Sequence, residues 1–178
     1  MRVLPLQALP FVVLLMGLSP ASAWAAPQRY AADPDPTGRV AVRDAAIDKA
    51  LAVENVVVRG VARPRLQAAA TVCSAYEVER SDAEFRFRCA DGGAPFAGAW
   101  GQPTPWTPRP DGEPVTGTAT AVPGEDAVQV RVQGAEGVRV NTFRFSPDGM
   151  TLEVAVEVPR LQGVVRYAVA YRAAPASR

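Results

Sequence analysis

Two stretches near the C-terminus alternate without a fault. In 151–158, Leu152, Val154, Val156 and Val158 take one parity, and Thr151, Glu153, Ala155 and Glu157 take the other. In 164–172, Val165, Tyr167, Val169 and Tyr171 oppose Arg166, Ala168, Ala170 and Arg172. Successive side chains of a β-strand point to opposite faces, so each stretch is a strand with one oily and one wet side. A helix would scatter the same residues around its circumference. Strands with a single apolar face belong to antiparallel sheets solvated on one side. That pattern commits the C-terminal part of the chain to a sheet that must cover its own greasy face.

The same period runs back to residue 71. Strands are expected at 72–80, 84–90, 115–122, 127–133, 137–145, 151–158 and 164–172, separated by turns at "SD" 81, "RPDGEP" 109, "PGED" 123, "GAEG" 134, "PDG" 147 and "QG" 162. Strands spaced by Gly, Pro and Asp turns form a meander. In 137–145 the apolar parity changes: Val138 and Val140 are even, Phe143 and Phe145 odd. A bulge near Asn141–Thr142 would account for this and curl the sheet. The expected fold class is mainly β (α+β), a curled antiparallel meander forming a small barrel or half-barrel, preceded by one or two N-terminal helices. The first helix, 40–54, would plug or cover the open side, with Ile47, Ala50 and Leu51 on one face. The segment 56–66 suits either a strand or a second helix, and a helix broken near Pro64 is preferred. Residues 91–114 hold six prolines and two tryptophans and read as a long irregular loop.

At the N-terminus, Met1-Arg2, an apolar run densest over "LPFVVLLMGL" and the A-x-A sites Ala21-Ser22-Ala23 and Ala23-Trp24-Ala25 have the layout of a secretory signal peptide, 1–25. Residues 26–38 read as a flexible lead-in, and 39–178 as a single helix-plus-barrel domain. No integral membrane span is expected after cleavage, so the protein would be exported, to the periplasm or beyond. The chain carries 19 Lys+Arg against 18 Asp+Glu, and loss of Arg2 with the leader equalises them. That balance excludes a nucleic-acid binder relying on a basic surface. Cys73 and Cys89 suit one disulfide in an exported protein. Pairing across a tight turn at Ser81–Asp82 would set Cys89 opposite Ser74, so a bond needs a bulge or a frayed strand end at Cys73; two buried thiols are the alternative.

The "SPDG" turn, "TL" opening the next strand, "PRL" after it, the final strand with Tyr167 and Tyr171, and "RGVARPRL" at 59–66 resemble a family of uncharacterised exported bacterial proteins with a lipocalin-like β-meander. The resemblance implies a meander curled around an apolar interior. It implies no catalytic residue.

Chemistry is sparse. The chain has no histidine, and therefore lacks the commonest general base and metal ligand. Two cysteines cannot fill a zinc site, so neither metal nor cofactor is expected. Glu153 and Glu157 share a strand face about 13 Å apart, and Glu77 and Glu79 alternate with apolar neighbours; both pairs read as outward-facing. An enzyme is not expected; a carboxylate-dependent hydrolase would need two carboxylates converging within about 5–10 Å. Arg59 and Arg63 share a helical face; they would hold a lipid headgroup, or else pair with Glu54 or water. Trp100 and Trp106 would line the mouth of a pocket or plug the end of the barrel. The expected function is a non-enzymatic binding protein holding an apolar or amphiphilic small molecule, with Trp100, Trp106, Tyr167, Tyr171, Arg59 and Arg63 as ligand-facing candidates. The alternative is a packed domain that docks on an envelope protein through a sheet edge or the 91–114 loop.

Overall fold

The alternating segments pair with their neighbours as their turns dictate. The computed structural model describes residues 27–32, 36–109 and 112–174. The expected leader, 1–25, and the Pro110–Asp111 tip of one turn lie outside the described residues. In chain order the elements are β1 (Gln28–Ala32), α1 (Pro36–Leu51), α2 (Val56–Ala69), β2 (Ala75–Arg80), β3 (Glu84–Cys89), β4 (Phe96–Ala99), β5 (Thr104–Trp106), β6 (Val115–Ala121), β7 (Ala127–Gly134), β8 (Gly137–Ser146), β9 (Gly149–Glu157) and β10 (Val165–Ala173). Among the described residues the strands form one antiparallel sheet in the order β4-β3-β2-β1-β10-β9-β8-β7-β6-β5. The sheet curls into a nearly closed barrel. Its two ends meet where Trp100 bridges Ala119 and the Gly101 amide donates to the Ala119 carbonyl at 2.8 Å. No described helix is long and apolar enough to cross a membrane.

The last two strands, β9 and β10, which lie at the middle of the sheet, follow the sequence pattern closely. Leu152, Val154 and Val156 are buried, as are Val165, Tyr167, Val169 and Tyr171, and the two strands pair Val154 with Tyr167 and Leu152 with Val169. Four expectations are corrected.

The lead-in contributes β1, which pairs with both β10 and β2 and buries Tyr30, so the folded unit starts ahead of residue 39. Five residues with one aromatic are too few to show a period.

The 91–114 segment is not irregular throughout. It contains β4 and β5, which are the two edges of the sheet. Phe96 folds its ring into the seam between them, where a Cβ on either Gly98 or Gly117 would overlap it.

The helix α2 runs straight through Pro64. Its start is capped by the Asn55 side chain, which accepts from the Val58 amide at 3.0 Å, and Leu66 anchors it in the core. The local cap and the core anchor together outweigh the one hydrogen bond that a proline removes.

Finally, β8 carries no bulge. Its register is continuous against both neighbours, from Gly134↔Gly137 to Ala127↔Arg144 on one side and from Val138↔Glu157 to Ser146↔Gly149 on the other. Cross-strand partners share a face. Arg139 pairs with Val132 and Val156, and Asn141 with Val130 and Val154, so Arg139 and Asn141 lie on the interior side. Val138 and Val140 face outward. The change of parity marks two polar residues within the oily wall, not a slip of the strand.

The helical hairpin covers one end of the barrel. Ile47, Ala50 and Leu51 of α1 are buried. Gly163, just ahead of β10, lies so close to the Ala50 carbonyl that a side chain there would collide with it. The Glu54 carboxylate, buried in the turn between the helices, accepts from the Gln162 amide at 2.7 Å.

Candidate functional site

The barrel interior divides into two parts of different chemistry. The first is aromatic. Phe143 of β8 reaches Phe85 and Phe87 of β3 with ring centroids 5.4 and 5.2 Å apart, and Tyr76 of β2 at 5.8 Å. β3 stands five places and β2 four places from β8 in the sheet, so the rings join opposite walls. The cluster continues sideways. Phe87 meets Phe96 at 5.4 Å, and Trp106 meets both at 5.6 Å. Trp100 lies 6.0 Å from Phe85. Each indole N–H is satisfied by a backbone carbonyl, Ser81 for Trp100 at 2.9 Å and Ala94 for Trp106 at 3.1 Å. Buried indoles ordinarily find such a partner. Both tryptophans are thus part of the aromatic packing that fills this region and shuts the seam.

The second part lies under the helical cap and is where the polar groups converge. The last carbonyls of an α-helix have no partners of their own. Here α2 and the linker after it hand those carbonyls to the barrel. Tyr167 donates its hydroxyl to the Ala70 carbonyl at 2.9 Å, and Tyr171 donates to that of Cys73 at 3.0 Å. Arg139 donates from Nη1 to Ala69 at 2.7 Å, from Nη2 to Thr71 at 3.2 Å and from Nε to the Asn141 side-chain oxygen at 2.8 Å. Arg109 donates to Ala68 at 2.9 Å. Cations placed there also oppose the negative end of the helix dipole. The bond between Cys73 and Cys89, with Cα atoms 5.7 Å apart, pins the same linker to β3. Cys89 pairs in register with Tyr76 and not with Ser74. Cys73 sits ahead of β2 on free chain, the strand-end solution to the parity problem.

Burial pushes the Tyr76 phenol up to about 12, and the Arg139 charge opposes the rise. Tyr167 and Tyr171 are also raised, chiefly by burial, and Arg139 acts on both in the opposite sense. One guanidinium therefore bears on three buried phenols. Among the described residues Arg139 has no carboxylate partner; all of its hydrogen-bond acceptors are neutral.

The remaining candidates sit elsewhere. Arg59 donates to the Glu54 and Ala52 carbonyls at 2.7 and 3.4 Å, and Arg63 forms an ion pair with Asp48 of α1. Both tie the two helices together and neither reaches the interior tyrosines. Glu77 pairs with Arg88, Glu79 with Arg86, and Glu153 with Arg144, all on the wet face of the barrel. Cys73, Cys89 and Asp91 lie close enough to suggest metal ligands. The two sulfurs are bonded to each other, however, and Asp91 accepts from the amide and hydroxyl of Ser74. The group knots the linker to β3. Sequence reasoning missed Arg139 and Asn141. Their signal was present, because the parity of Phe143 and Phe145 extended backwards assigns both residues to the interior.

No protein-family model matches the chain, and no curated protein does. Solved structures similar to this chain include three lipid-binding proteins. A fatty acid-binding protein from brain tissue of Drosophila melanogaster is 14% identical with a TM-score of 0.45, over 84% of this chain and 99% of that one. Fatty-acid-binding protein 1 of Echinococcus granulosus is 12% identical with a TM-score of 0.43, over 83% and 94%. Lipid binding protein 8 of Caenorhabditis elegans, in its apo form, is 10% identical with a TM-score of 0.44, over 82% and 93%. At these values no residue role passes from those proteins to this chain.

Proposed function

We propose that the protein is a non-enzymatic carrier of an amphiphile with an anionic head, held at the helix-capped end of the barrel. One observation carries this reading: Arg139 brings a full positive charge onto the apolar wall between Val132 and Val156, and meets only neutral acceptors there. Arg139 is half-buried, and a charge drawn partly out of water is stabilised by an opposite one. A carboxylate or phosphate at Arg139 supplies it, with Tyr167 and Tyr171 as further donors and Val130, Val154 and Val169 beside an apolar tail. In this reading Trp100 and Trp106 form the floor, while Arg59 and Arg63 brace the cap. Export would deliver the chain to an oxidising compartment, which suits the Cys73–Cys89 bond. A mature N-terminus at residue 24 or 26, found by mass spectrometry of the periplasmic fraction, would support it.

The test is displacement of a fluorescent fatty-acid probe from delipidated protein. Oleate should compete at least about tenfold better than oleyl alcohol, because a charge-assisted bond contributes roughly 1.5–3 kcal/mol. Arg139→Gln should erase that preference and Arg139→Lys should retain part of it, with melting curves confirming that both variants fold. Equal competition by acid and alcohol in the native protein would remove the charged anchor and with it the proposal.

A further inference from the structure

The exposed large hydrophobic side chains of the described residues are Val40, Val42, Val53, Val56, Val57 and Val61, and every one of them belongs to the helical hairpin. The outside of the barrel bears the alternating Arg, Glu, Gln and Thr of the strands. On α2 the apolar residues fall into a stripe. Val57 and Val61 are 71% and 59% exposed, and Gly60, Pro64 and Ala68 extend the line along the same side. Residues at these spacings share a helix face. Leu66 lies opposite and is buried. The helix therefore has two apolar sides, one in the core and one left exposed by the described residues. Contiguous exposed apolar surface on a soluble domain marks a place of interaction.

Charge indicates the partner. Residues 36–70 carry six basic side chains (Arg39, Arg43, Lys49, Arg59, Arg63, Arg65) and three acidic ones (Asp44, Asp48, Glu54), a net of +3. The whole chain is +1, so everything outside the hairpin sums to −2. Lys49 and Arg65 make no side-chain hydrogen bond or ion pair among the described residues. The stripe also lacks the tryptophan or tyrosine anchors on which protein interfaces concentrate their binding energy. A bilayer needs no such anchors; it asks for apolar area flanked by cations.

We propose that the outer face of the α1–α2 hairpin docks on an anionic lipid bilayer, with Val53, Val57 and Val61 at the boundary of headgroups and acyl chains and Lys49 and Arg65 on the lipid phosphates. The proposal stands apart from the ligand reading, since it concerns the outside of the cap.

The test is co-flotation of the ligand-free protein, with its leader removed, with vesicles of phosphatidylglycerol and phosphatidylcholine, and with phosphatidylcholine alone. Association is expected with the anionic vesicles, strongly reduced by about 0.5 M salt. Val57→Asp/Val61→Asp should weaken it roughly tenfold or more. Both sites are exposed, so circular dichroism and the melting temperature should be unchanged. Lys49→Glu/Arg65→Glu provides a second variant and should weaken association with the anionic vesicles without touching the stripe. Absence of binding to anionic vesicles, or equal binding by the valine variant, overturns the proposal. So does a dimer in sedimentation that the valine substitutions abolish, which would make the stripe a contact between copies. A protein that binds oleate in solution but ignores vesicles would sink the docking surface and leave the carrier reading in place.

Discussion

The two parts of the barrel interior are held by different means. Around Phe143 the walls are joined by the volume of aromatic rings, which cross from β8 to β2 and β3 and leave the seam closed by Phe96 and Trp106. Beneath the helices the walls are joined to the cap by donors gripping carbonyls: Tyr167, Tyr171, Arg139 and Arg109 on residues 68–73. Close-packed rings are not free to rearrange, because any gap forfeits dispersion contacts. Hydrogen bonds to carbonyls can be exchanged for bonds to another acceptor at little net cost. The aromatic part is thus suited to holding the fold and the capped part to accommodating a guest.

The sharpest attempt to break this contrast is Phe143→Ala. Removing a fully buried phenylalanine that touches both walls should cost about 3–5 kcal/mol in a urea melt, a large part of what an ordinary domain has. A loss under about 1 kcal/mol would mean that the walls are joined by something other than these rings. The disulfide comes next. Reduction, or Cys73→Ser with Cys89→Ser, should cost roughly 3 kcal/mol by the loop-entropy argument. Its effect should also be local. Hydrogen exchange should rise over 56–74, where the bond fastens the cap, while amides of β8 and β9 stay protected. Uniform acceleration through the barrel would show that cap and wall form a single cooperative unit.

What the sequence disclosed follows the same division. Leu152, Val154, Val156 and the final strand were legible because each residue's role depends on its parity within one strand. The closing of the barrel was not. Phe96 fits only because Gly98 and Gly117, nineteen residues apart, both lack a side chain where its ring lies, and no local pattern expresses that. Nor did β1 show, since its place between β2 and β10 is set by partners far along the chain. The candidate site was half visible. Alternation places Tyr167 and Tyr171 inside, but Arg139 and Asn141 break the apolar pattern and mimic a bulge near Asn141–Thr142. A polar residue on an inward position looks like a fault in the strand until the acceptor that justifies it is known, and here the acceptors are the carbonyls of Ala69, at the end of α2, and of Thr71 in the linker after it, far upstream in the chain.

The smallest effect at neutral pH, and the one that probes the border between the two parts, lies in the tyrosines. Tyr76 touches Phe87 and Phe143 on one side and Tyr171 on the other, at 6.2, 5.8 and 5.3 Å. Its phenol is raised from 10.0 to about 12 in the folded protein. The unfolded chain therefore loses this proton first as pH rises, and below pH 10 the two states hold it equally. Wherever the unfolded state binds fewer protons, stability falls with pH. Tyr167 and Tyr171, raised in the same direction, add to the slope. Stability should be level with respect to these groups up to about pH 9 and decline from about pH 10 towards 12. Tyr76→Phe should flatten that decline by about one proton's worth while leaving the neutral plateau close to native, because the ring remains. Urea melts at a series of alkaline pH values measure the slope directly. If the variant loses stability as steeply as the native protein above pH 10, Tyr76 is not sealed between the aromatic packing and the cap, and the boundary drawn between the two parts is in the wrong place.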